Sequence, residues 1–157
     1  MGKDNDFEDK TKRYLNLYQH NLFMTADTEI LIRLILAVVI GGLIGWEREV
    51  VHKPAGIRTH MLVCLGSALF ALVTLQTIPE ETGRIISGVA TGIGFLGAGT
   101  IFKARDSVHG LTTAASIWVV AAVGLAVGIG QYFLTAVAGI LTLIILNLNR
   151  IKFFNRF

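Results

Sequence analysis

The sequence holds a single cysteine, Cys64, in 157 residues, so no disulfide can form within the chain. Set in an apolar run, its thiol reads as a small buried hydrophobe. Charge is also scarce. Asp, Glu, Lys and Arg make up 16% of the residues and leave a formal net charge of +3, concentrated at loops. That is too little basic character for a nucleic-acid partner. The four histidines, His20, His52, His60 and His109, show no metal-ligand spacing and are expected to be solvated loop residues, with no metal or cofactor bound. No nucleophile–base pair or metal set is apparent, so an enzyme is not expected. The charged start, MGKDNDFEDKTKR, is followed by no cleavable apolar core and is not a signal peptide.

What is present is hydrophobic length. Apolar residues make up 53% of the chain, and the mean hydropathy is +0.62. Residues 1–28 form a polar N-terminal tail. Its Phe7, Tyr14, Leu15, Tyr18, Leu22 and Phe23 recur at roughly helical spacing, which fits either a short interfacial helix or a partly disordered tail with scattered aromatics. Residues 29–149 hold five apolar stretches, 30–46, 61–78, 85–102, 111–129 and 132–148. Each meets the length of about 17–25 residues needed to cross a bilayer. The expectation is an all-α polytopic membrane protein, a bundle of five transmembrane helices, with a short basic end at 150–157. Only Gly130 and Gln131 separate the last two stretches, which requires a tight hairpin. A re-entrant segment is the alternative for the third.

Lysine and arginine fix the expected orientation. Arg48, Lys53 and Arg58, then Lys103 and Arg105, then Arg150, Lys152 and Arg156 all fall at one end of a five-span bundle. The other end has Arg84 alone in its loops. The basic end and the C-terminus are therefore expected in the cytoplasm and the N-terminus outside, although Lys10, Lys12 and Arg13 would then have to cross.

The chain is organised around residues 84–120, two apolar runs flanking the charged loop KARDSVHG. Glycines at 88, 92, 94, 97 and 99 crowd the first run. Each would weaken a helix in water by about 0.5–1 kcal/mol, but in a bilayer small residues let helix backbones approach closely. Gly41 and Gly45, Gly88 and Gly92, and Gly124 and Gly128 are pairs four apart, each lining one helix face. They are read as packing seams, with the third span a glycine-lined rod wedged among its neighbours. The segment Gly92-Ile93-Gly94-Phe95-Leu96-Gly97 matches a dinucleotide fingerprint in spelling only, lacking the strand and acidic residue that such a site needs.

At the basic end, Glu47 and Arg48 close the first span, and the Pro54–Gly56 turn delivers Arg58 and Thr59 to a fixed place. Gly110, Leu111, Thr112 and Thr113 open the fourth span there, where free backbone N–H groups could hold an anion or carboxylate. One reading is a polar binding cluster of Glu47, Arg48, Arg58, Thr59, Thr112 and Thr113. The other is a structural tie between Glu47 and Arg58, with Thr112 as a cap. At the opposite end, Glu29 and Arg33 stand at the favourable i,i+4 spacing near Arg84, which fits an ion-paired lid or simple snorkelling.

Four blocks in order make the chain similar to the MgtC/SapB family of bacterial membrane proteins. They are EILIRLILAVVIGGLIGWERE from Glu29, KPAGIRTHMLVCLGSALF from Lys53, GIGFLGAGTIF from Gly92 and GLTTAASIWVVAAVG from Gly110. The resemblance implies five spans in the cytoplasmic membrane and a role in adaptation to low magnesium and survival inside host cells. It also implies a modulator that binds other membrane machines, ATP synthase or transporters among them. The family pattern falls on Glu29, Arg33, Gly45, Glu47, Arg48, Pro54, Gly56, Arg58, Thr59 and Arg84 in the first half. In the second half it falls on Gly94, Phe95, Gly97, Gly99, Gly110, Thr112, Thr113 and Trp118. Relatives often carry a soluble domain after the last span, which is not expected here, and a glutamine where this chain has Gly88.

Two functions follow from different physics. A magnesium path needs oxygen ligands along the crossing, and apart from Arg33 no span has an interior acid or base. Backbone carbonyls at a glycine-broken helix could substitute. A module that docks on membrane proteins, or on a second copy of itself, needs only small-residue seams and end charges. The expected function is the latter, a non-enzymatic modulator in contact with lipid and with other membrane proteins, with ion transport as the alternative.

Overall fold

The computed structural model describes residues 3–104 and 107–148, with side chains from Asp27 onward. The chain divides into two compact units, 1–32 and 33–157. The first is helical from Lys3 as the start of helix α1, Lys3–Val50, so the tail of the sequence reading is helix from Lys3 on. Its side chains to residue 26, the basic end 150–157 and Arg105 lie outside what is described.

The second unit contains the rest of α1, then α2 (Ile57–Thr77), α3 (Thr82–Ala98), α4 (Leu111–Ile129) and α5 (Tyr132–Asn147). Asp27–Val50 of α1, α2 and α4 are long and apolar enough to cross a membrane, and α5 is a shorter apolar helix. Leu31, Ile35, Val39, Leu43 and Trp46 form an exposed apolar stripe down α1, the face that lipid covers. Ala37, Gly41, Ile44, Gly45 and Arg48 form the opposite, buried stripe at the i, i+4, i+7 spacing of an inward helix face. The protein is an all-α, multi-pass membrane protein.

Helices α2 and α4, not α3, form the centre, and α4 is the more buried of the two. A methyl group on Gly41 would stand 2.7 Å from His60 O, and one on Gly45 2.7 Å from Ile57 Cα. From the other side, a methyl on Gly128 would stand 2.6 Å from Ala68 O, and one on Gly124 would run into Cys64 O. Glycines of α1 and α4 thus let both helices press against the backbone of α2. Cys64 is fully buried in this core, with Ala37, Ile44, Ala68, Ile117 and Val120.

Helix α3 departs from the wedged rod expected of it. Gly97 is its one buried residue, packed on Ala114. Nothing lies within 4 Å of where side chains on Gly88, Gly92 or Gly94 would begin, and a methyl on Gly99 would meet its own helix at Leu96 O, 3.3 Å away. Periodicity marks Gly88 and Gly92 as one small face but cannot supply a neighbour to fill it.

Two turns are set by backbone conformation. Gly130, at φ +89°, ends α4, with its N–H bonded to Val127 O and that of Gln131 to Ala126 O, both 2.9 Å. This gives the required tight hairpin into α5. Helix α1 ends the same way without glycine. His52 takes φ 54°, His52 N–H donates to Glu49 O and Lys53 N–H to Arg48 O, both 3.0 Å, and Pro54 follows.

The charged loop between α3 and α4 is an antiparallel hairpin, β1 (Phe102–Ala104) and β2 (Ser107–His109), with Phe102 opposite His109. Their rings stack at 5.3 Å. Sequence periodicity did not indicate these strands.

Candidate functional site

The end of the bundle where α1, α3 and α5 finish and α2 and α4 begin carries most of the candidate residues. Arg48 arrives on the inward stripe of α1 and is only 3% exposed. Its Nη1 donates to Glu47 Oε2 at 3.5 Å, a long and single contact, and its Nε is buried with no hydrogen-bond partner among the described residues. Arg58 is exposed and forms no ion pair among the described residues; Glu47 pairs with Arg48, not with Arg58 as one of the two sequence readings had it. Thr59 is half-buried.

At the start of α4, Gly110 holds φ +89° and gives no side-chain cap. A side chain on it would run into Thr100 O. Ala114 N–H donates to Gly110 O at 2.8 Å, the first helical bond, which leaves the N–H groups of Leu111, Thr112 and Thr113 at the open end. Thr112 is exposed and does not cap; Thr113 is buried. A cleft of about 700 Å³ joins these parts, walled by Arg48, His52, Lys53, Pro54, Phe102, Val108, His109, Leu111, Thr112, Thr113, Ile145, Leu146 and Leu148. Of the cluster read from the sequence, the cleft brings together Arg48, Thr112 and Thr113; Glu47, Arg58 and Thr59 are not among its walls.

Two residues outside that cluster matter to this end. Glu49 Oε2 accepts from Ile57 N–H at 2.8 Å, placing a carboxylate at the positive start of α2. His60 is fully buried rather than solvated. Its Nδ1 donates to Gly56 O at 3.0 Å, so its Nε2 accepts from Ser116 Oγ at 3.1 Å; Thr113 O, 2.8 Å from the same oxygen, is the competing acceptor for that proton. This tie couples α2 to the first turn of α4. The signal was available: positions 60, 64, 67, 68 and 71 fall on one inward stripe of α2.

At the opposite end, Arg33 Nη1 donates to Gly128 O at 2.7 Å and Nε to Tyr132 Oη at 3.3 Å, a cation on the carbonyl end of α4. Arg84 is largely exposed and bonds to Glu81 at 2.9 Å. Glu29 belongs to the first unit. Between α2 and α3 runs a second concavity of about 450 Å³, floored by Gly66, Gly88 and Gly92 and walled by Leu62, Phe70, Ile85, Val89 and Ile93. Its surface is almost wholly apolar, and Phe95 nearby on α3 is 86% exposed. No group of His, Cys, Asp or Glu among the described residues is placed to hold a metal ion.

No solved structure gives a significant match to the chain. YhiD of Escherichia coli K12, provisionally named a magnesium transporter, is 45% identical over 132 residues, 78% of this chain and 60% of its own length. MgtC of Salmonella typhimurium LT2 is 43% identical over 102 residues, 65% of this chain and 44% of its own. SrpB of Synechococcus elongatus is 41% identical over 130 residues, 73% and 71% of the two chains. This chain therefore spans about 60% of the length of YhiD and less than half of MgtC. The MgtC family model matches residues 34–152, a range that takes in the α2–α4 centre, both glycine seams and the end cleft, and the chain belongs to the MgtC family.

Proposed function

We propose that this protein is a non-enzymatic modulator of the bacterial inner membrane that works by docking on other membrane helices, in magnesium-linked adaptation. The observation that carries the reading is the open glycine face of α3. Gly88 and Gly92 have nothing against them, and with α2 they form an apolar groove that a helix from another protein, or from a second copy, can enter. Small residues permit close backbone approach in lipid. The names of MgtC and YhiD tie the reading to magnesium, and the positive end loops support a cytoplasmic C-terminus and an outer N-terminus. ATP synthase and transporters are the partners that the family resemblance suggests.

The test is photocrosslinking in cells from Ile85 and Val89, at the groove wall. Gly88→Leu and Gly92→Leu are expected to insert and melt like the wild type while abolishing the crosslinks. Unchanged crosslinking in both variants would remove the face as a docking surface.

The provisional naming of YhiD favours a second reading, an ion transporter. Magnesium flux into liposomes faster than both empty vesicles and an Arg58→Ala control would put that reading first.

A further inference from the structure

The end cleft is distinct from the α3 groove, sharing no wall residue with it. Buried guanidinium groups normally have their N–H donors satisfied. Among the described residues, Arg48, almost wholly buried, has one 3.5 Å contact to Glu47 and an Nε with no hydrogen-bond partner, and it is a wall of the cleft. On the same cleft stand Thr112 and Thr113 at the uncapped start of α4, where backbone N–H groups and the helix dipole favour an anion. Lys53, His52 and His109 complete the polar wall, and no carboxylate is among the described wall residues. The remaining walls are apolar, Ile145, Leu146 and Leu148 of the α5 end among them.

We propose that this cleft binds a phosphate group, held by Arg48, Lys53 and the first N–H groups of α4. Guanidinium and helix-start donors match phosphate oxygens. The shared chemistry has two sources, an anionic lipid headgroup with its chains along the α5 wall, or free phosphate.

The purified protein in detergent is titrated calorimetrically with dioctanoyl phosphatidylglycerol, with dioctanoylglycerol and with inorganic phosphate. Saturable binding of a phosphate probe is expected, with none for dioctanoylglycerol. Arg48→Gln is expected to weaken it by about tenfold or more, the loss of a charge-assisted contact. Lys53→Gln, at an exposed position, is expected to weaken it several-fold and carries the test alone if Arg48→Gln fails to fold. Arg84→Gln, outside the cleft, is expected to leave it unchanged. Binding of the lipid alone assigns a headgroup; equal binding of inorganic phosphate assigns free phosphate. No saturable binding of either, dioctanoylglycerol binding as tightly as the lipid, or equal losses in Lys53→Gln and Arg84→Gln would overturn the site.

Discussion

His60 shows how one side chain can set the geometry of an end surface. It spans from Gly56 at the start of α2 to Ser116 on α4, so the two helix starts cannot separate without breaking a buried hydrogen bond. His60→Ala is expected to cost about 1–3 kcal/mol, the penalty for stranding a buried polar partner, read as a lower melting temperature in detergent. His52 makes the opposite case. It holds a left-handed backbone at φ 54°, a conformation that costs a non-glycine residue about 1–2 kcal/mol. His52→Gly is expected to raise the melting temperature. Neither residue was legible as more than a loop histidine, because a helix start placed at Met61 put His60 outside the span. A start at Ile57 puts it in phase with Cys64 and Ser67.

Among the elements, the glycine pairs divide by partner. Gly41→Ala and Gly128→Ala force a methyl against backbone atoms of α2 at 2.7 and 2.6 Å. Each is expected to cost about 1–3 kcal/mol by overpacking. Gly92→Ala, with open space around it, is expected to stabilise α3 by about 0.5–1 kcal/mol instead. Thermal melts of the three variants side by side check both signs; a Gly92→Ala loss equal to that of Gly128→Ala would place a neighbour against α3. The sequence spacing found all three pairs alike, since a period of four marks a face and says nothing of what stands opposite it. The fourth span, 111–129, and the tight turn at Gly130 and Gln131 were readable from hydropathy and glycine. The β1–β2 hairpin was not, because Phe102 to His109 has one β-branched residue, Val108, and no sustained alternation.

For the whole molecule, the two concavities differ in chemistry and in place. The α2–α3 groove is apolar and lies along the helices, suited to another helix; the end cleft is basic and lies where the helices stop. The proposed roles separate experimentally. Gly88→Leu is expected to abolish helix crosslinks and leave phosphate titrations unchanged, while Lys53→Gln weakens phosphate binding several-fold and leaves the crosslinks unchanged. Loss of both activities in either variant would show one coupled site. The bundle was legible because bilayer crossing imposes length and apolarity, whereas the end cleft gathers Arg48, His109 and Leu148 from three distant segments, and nothing local in the sequence announces such a meeting.

The notches cut into α1 and α4 have a mechanical corollary. With glycine recesses gripping its main chain from two sides, α2 can neither slide by a turn nor rotate without driving its backbone into the side chains that flank those glycines. It behaves as a shaft keyed on two sides, whereas α3, with open space beside Gly88 and Gly92, carries no such key there.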